Sequence, residues 1–231
     1  MGVLFIMATG AIILSVVILE PVVKAPDFLM QVSEGEARVA AGVLFEMVNN
    51  IAVVGIAVVI YPVLKPFSER LALGYIAARS IESVLFTIGT GLLLTLLFVS
   101  DEFVAAGAPP ASYFHTLGGM LLAGHDLDNA SGGAGVGFMA VGIGTLTLNY
   151  ALFRTRLVPR WISAFGLFAG ASILAARVMV IAGLDLSSAT VTIMDSPLFV
   201  EEMVIAVWLI VKGFNASVLA GGPQGPVPST E

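Results

Sequence analysis

One stretch constrains this chain more than any other. From Leu71 to Val99 the residues are apolar almost without interruption, yet Arg79 and Glu82 stand inside the run. At a rise of about 1.5 Å per residue the run makes a helix long enough to cross a bilayer core of about 30 Å. Residues three apart share a helix face, so the two opposite charges lie side by side. Charges in hydrocarbon turn toward a bundle interior or a water-filled cavity. The remaining apolar segments must therefore pack around this one. The fold class that follows is all-α, a polytopic transmembrane helical bundle.

Five further stretches qualify as spans: Gly2–Val23, Val39–Val63, Gly133–Phe153, Trp161–Gly183 and Pro197–Ala216. That makes six in a single transmembrane domain, residues 1–216. Composition agrees: 58% of the residues are hydrophobic and only 11% charged, against about a quarter charged in soluble domains. The tail, residues 217–231, is rich in Gly, Pro and Ser and is expected to be disordered. The connection from Ser100 to Gly132 contains an apolar piece, Pro109–Gly124, too short to span. It is expected to be an interfacial or re-entrant helix.

Lys and Arg set the expected orientation. Lys65 and Arg70 lie between spans two and three, Arg154, Arg156 and Arg160 between spans four and five, and Lys212 at the end of span six. The connections 100–132 and 184–196 hold no Lys or Arg. Both termini are expected on the cytoplasmic side of a cell membrane, with the long third connection outside. Lys24 and Arg38 run against this pattern but stand among Asp27, Glu34 and Glu36.

The candidate ligand-binding residues are the polar groups inside the spans. Glu46, Asn49 and Asn50 fall on one face of span two. Arg79 lies about 12 Å from the start of span three, too deep to snorkel easily. Its pair with Glu82 reads as a structural lock or as part of an ion or ligand site. Arg177 of span five needs a carboxylate, and one of Glu46, Glu201 and Glu202 is the expected partner. Glu202 is expected to face inward and Glu201 toward the surface. The sharper expectation is that Glu46, Arg177 and Glu202 surround one polar cavity in the outer half of the bundle, open to the outside and suited to a small lipophilic or lipid-like ligand. The alternative is a structural or partner-binding subunit whose buried charges are only internal ion pairs.

Other features read more plainly. His115, His125, Asp126 and Asp128 look like a solvated loop rather than metal ligands. The Arg154/Arg156/Arg160 group beside Trp161 reads as a topology determinant touching anionic lipids, with a specific phosphate site as the sharper alternative. The glycines of span four, Gly133 to Gly144, and Gly166 and Gly170 of span five point to close helix packing. There are no cysteines, hence no thiolate chemistry or disulfides. The net charge of −6, without a Lys/Arg patch, argues against nucleic-acid partners. No Walker loop, His-Glu-x-x-His or Gly-x-Ser-x-Gly motif is present. No cofactor, metal or catalytic residue is expected, and membrane lipids are the expected partners.

Three blocks resemble one family. Gly74-Tyr75 with Arg79 and Glu82 is the first. Leu152-Phe153-Arg154-Thr155-Arg156-Leu157-Val158-Pro159-Arg160-Trp161 with Gly166 is the second. Pro197 with Glu202, Trp208 and Lys212-Gly213-Phe214-Asn215 is the third. Together they are similar to the bacterial membrane family catalogued as domain of unknown function 4386. The likeness runs through the chain to Asn215. It implies a membrane fold and, as the family's title says, no reaction, substrate or ligand.

Overall fold

The computed structural model describes residues 1–109, 113–128 and 135–221, with the side chains of 126–128 and 221 outside that description. Every regular element among the described residues is helical: α1 (Gly2–Val23), α2 (Phe28–Glu34), α3 (Glu36–Leu64), α4 (Glu69–Ala105), α5 (Tyr113–Asp128), α6 (Val136–Thr155), α7 (Arg160–Ile181), α8 (Ser188–Val211) and α9 (Ala216–Gly221). Five of them, α1, α3, α4, α6 and α7, are long and apolar enough to cross a membrane. The sixth expected span corresponds to α8, which has 24 residues but carries Asp195, Glu201 and Glu202. It starts nine residues before the expected Pro197. The reason is local. Ser187 caps the helix by accepting a bond from the Thr190 N–H, and Pro197 is accommodated inside it. Proline lacks the N–H that would reach the carbonyl of Ile193. The Ser196 hydroxyl donates to that carbonyl instead, at 2.9 Å.

The six long helices close into a ring. Neighbours run α3–α1–α8–α7–α6–α4 and back to α3. Small residues let the backbones approach. Gly42 of α3 seats Leu19 of α1, and Gly2 of α1 lies against the Ala206 carbonyl of α8. Gly142 of α6 and Gly170 of α7 face each other's carbonyls where the two helices cross. The expected close packing of spans four and five is thus present, while Gly133 lies outside the described residues.

The surface is the reverse of a soluble protein's. Val17, Ile51, Ile88, Phe98, Phe168 and Ile193 are all more than half exposed, while Arg79, Glu82, Glu201 and Arg177 are buried. A solvent as apolar as Leu makes that distribution favourable, so the fold is that of a membrane protein.

One end collects the chain's basic loops. There an apolar layer of Phe5, Ile56, Ile60, Tyr75, Leu148, Leu152, Ile162 and Ile205 is shared by all six ring helices. At the opposite end α4 runs on past the expected Val99 to Ala105. With 37 residues it is about 55 Å long, well beyond a 30 Å core. The short apolar piece of the third connection forms α5, which turns back along this overhang. Phe114 meets Phe103, and Gly124 meets Leu92. α6 then continues down α4 in the same direction, Gly137 on Phe86 and Gly144 on Arg79. α5 thus runs back along α4, and α6 follows it in the same direction. α9 occupies 216–221, the first residues of the stretch expected to be tail; residues 222–231 lie outside the described ones.

Candidate functional site

The interior polar groups form three clusters rather than one. The first lies near mid-height, in the middle of the ring. Arg79 Nη1 donates to Glu82 Oε2 at 2.8 Å, both side chains about 3% exposed. Its Nη2 lies 3.6 Å from Glu202 of α8, whose other oxygen accepts from Thr9 of α1 at 2.8 Å. Tyr75, one turn earlier on α4, puts its ring under the guanidinium, 5.8 Å from centroid to Cζ. Glu201 points into the protein too, accepting from Asn149 Nδ2 of α6 at 3.1 Å. The expectation that Glu201 faces the surface is therefore corrected: it is 2% exposed, more buried than Glu202. Asn149 can sit there because Gly166 of α7 has no side chain to collide with it.

The second cluster is nearer the end opposite the basic loops. Glu46 of α3 receives the Thr90 hydroxyl of α4 at 2.7 Å and lies 3.1 Å from Nε2 of His125 on α5. Ser15 of α1 reaches the same carboxylate at 3.4 Å. Asn49 and Asn50 share the buried face with Glu46 as their spacing requires, and Asn50 Nδ2 donates to Thr87. His125, read from sequence as part of a solvated loop, is 8% exposed. Its partner is some eighty residues away in sequence, so no local spacing announced it. The side chains of Asp126 and Asp128 lie outside the described residues.

The third cluster is Arg177 with Asp195. Arg177 is fully buried, its Nη2 is 2.5 Å from Asp195 Oδ2, and its Cζ stands 4.7 Å over the ring of Phe138. The expected partners, Glu46, Glu201 and Glu202, are engaged elsewhere. The antiparallel register of α7 and α8 explains this. Ser172 of α7 bonds the carbonyl of Met194, so this part of α7 lies against the first half of α8, and the long Arg177 side chain reaches Asp195, about 10 Å along α8 from Glu202. Asp195 was the signal in the sequence that pattern reading passed over, because it precedes Ser196-Pro197 and looked like a loop residue. Glu46, Arg177 and Glu202 thus belong to three separate clusters, each with its own partners.

The basic end offers a different kind of site. A groove of about 560 Å³ opens between the α6–α7 loop and the end of α8. Arg156, Arg160 and Lys212 line it together with Trp208, Phe214 and Asn215. Its walls are fixed by local structure. Arg156 caps α6 in the left-handed region, φ 59°, which no glycine relieves there. Gly213 turns the chain at φ 67°, and the Asn215 N–H donates to the Leu157 carbonyl at 2.9 Å, tying the two walls together. A second hollow, of about 480 Å³, is lined by Met203, Val204, Val207 and Val211 and shares Trp208 and Lys212 with the first. A cationic groove thus runs directly into an apolar one along the outer face of α8. Such a pair of surfaces can hold an anion at one end and a hydrocarbon chain at the other. The blocks that line the groove are two of the three that carry the family resemblance.

The family model described as Domain of unknown function (DUF4386) matches residues 1–213. No curated protein and no solved structure matches the chain.

Proposed function

Since the chain belongs to the DUF4386 family, whose description names no reaction or ligand, we propose from its geometry a six-span membrane protein that binds an anionic, lipid-like molecule at its basic end. The observation that carries this reading is the shared wall of Trp208 and Lys212 between the cationic groove and the apolar groove. α8 counts as the sixth span, its acidic residues satisfied inward by Arg79, Asn149 and Arg177. Lys65, Arg70, Arg154, Arg156, Arg160 and Lys212 gather at one end, six of the ten Lys and Arg in the chain. The positive-inside rule makes that end cytoplasmic, with both termini there and the bundle in the cell membrane. Arg156, Arg160 and Lys212 then lie at the inner headgroup level, where a basic pocket meets anionic lipid.

This reading moves the ligand away from Glu46, Asn49, Asn50, Arg79, Glu82, Arg177 and Glu202. Those groups favour the second reading for the interior, an internal framework of ion pairs and hydrogen bonds. The test is native mass spectrometry of the protein released from nanodiscs of mixed lipid. Anionic lipid is expected to remain bound above its bulk fraction, and Arg156→Glu with Lys212→Glu should remove it without lowering the melting temperature. Retention identical to bulk composition in both proteins would leave only the structural reading.

A further inference from the structure

The basic end carries a second groove, of about 390 Å³, on the other side of the α6–α7 loop. It lies between the start of α4 and the end of α6, and Arg70, Arg154 and Ser68 supply its polar lining. The loop that separates the grooves is very short. Arg154 belongs to one groove and Arg156 to the other, and residues two apart are at most about 7 Å apart along the chain. The left-handed backbone at Arg156 is what turns the chain between them. A left-handed residue is a common way to end a helix, here supplied by Arg rather than Gly.

Each groove has its own cations and its own apolar continuation. Arg154 is held in place by the Tyr150 hydroxyl at 3.0 Å, and Arg160 lies over the Phe153 ring, 5.1 Å from its centroid. Glu69, the first residue of α4, is engaged by Lys65 at 3.5 Å. Tyr150 lines the second groove, and both it and Leu73 of α4 present exposed apolar surface. Beyond the first lies the hollow of Val207 and Val211.

We infer that the two grooves hold the two phosphates of one lipid, a diphosphatidyl-type molecule whose phosphodiesters are joined through a short polyol. The loop 154–160 would lie between its phosphates, with acyl chains running down both flanks. This rests on the lipid-binding reading above and adds the headgroup class to it. Two linked contacts on a rigid surface raise retention far beyond either alone, because the second binding step is intramolecular.

The experiment compares a two-phosphate lipid with a one-phosphate lipid, each in nanodiscs matched for total phosphate, by native mass spectrometry of the full chain. The two-phosphate lipid is expected to be retained about tenfold or more in excess. Arg70→Gln with Arg154→Gln should abolish the preference, bringing the two-phosphate lipid down to the level at which the same variant holds the one-phosphate lipid. Equal retention of the two lipids by the unaltered protein overturns the two-phosphate inference and leaves anionic-lipid binding standing. A preference that survives the Arg70/Arg154 change also overturns it. Retention of neither lipid overturns both.

Discussion

Arg177 and Asp195 show what a buried charge requires of its neighbour. With Arg177 replaced by Met, Asp195 is left in the interior with no cation, and breaking a buried pair this way costs about 3–5 kcal/mol. Arg177→Met should lower the melting temperature in detergent sharply, and Asp195→Leu added to it should recover much of the loss. Additive losses would show that the two do not interact. The Arg79 cluster is not symmetric, and its variants should not be either. Glu82→Gln leaves Arg79 with Glu202, whereas Arg79→Met leaves Glu82 and Glu202 facing each other with Glu201 close by. Arg79→Met is therefore expected to cost more than Glu82→Gln, by at least about 1 kcal/mol, measured by the same thermal unfolding. Equal losses would mean that Glu202 contributes nothing to holding the guanidinium.

Among the elements, the α6–α7 contact is sensitive to added volume. A methyl on Gly142 would meet Leu174 at 2.7 Å and the Gly170 carbonyl at 3.2 Å, and a backbone cannot swing aside. Gly142→Ala should cost about 1–3 kcal/mol by forcing the helices apart. Gly91 of α4 is the natural control, because nothing lies within 4 Å of the same added methyl. Gly91→Ala should be neutral or gain up to about 1 kcal/mol in helix propensity. If both variants unfold alike, close approach is not what the Gly142 position provides. The α8 element makes a different point. Its start was misread because Pro197 normally ends a helix, and the Ser196 hydroxyl that repairs the lost bond acts one helical turn away from the orphaned carbonyl. That repair depends on a side chain's rotamer, which a pattern of apolar residues does not encode.

At the scale of the whole molecule, the chain's lack of cysteine makes its topology directly testable. Single cysteines at Phe67 and Pro159 are expected to resist a membrane-impermeant thiol reagent in intact cells and to react after permeabilisation. Cysteines at Gly107 and Asp185 should react in intact cells. Labelling of Pro159 and Asp185 from the same side would remove α7 from the set of spans.

Much of this protein was legible without its structure, and the reason is solvent. In hydrocarbon every backbone group must bond within its own helix, so long apolar runs announce helices whatever they pack against. The five apolar helices and the inward turn of Arg79 and Glu82 follow from that rule alone. Helical spacing likewise put Glu46, Asn49 and Asn50 on one face before any neighbour was known. What lay beyond the sequence was which helix stands beside which, and at what height. Arg177 meets Asp195 rather than Glu202 because the two carboxylates lie about 10 Å apart along α8 and α7 packs Arg177 against the former. His125 reaches Glu46 because α5 folds back along α4, and two separate blocks close a cationic groove because Asn215 bonds to Leu157. Helix periodicity fixes the face a side chain occupies within its own helix. The ring order and the register between helices come from side-chain packing among residues far apart in the chain, and only the tertiary structure decides them.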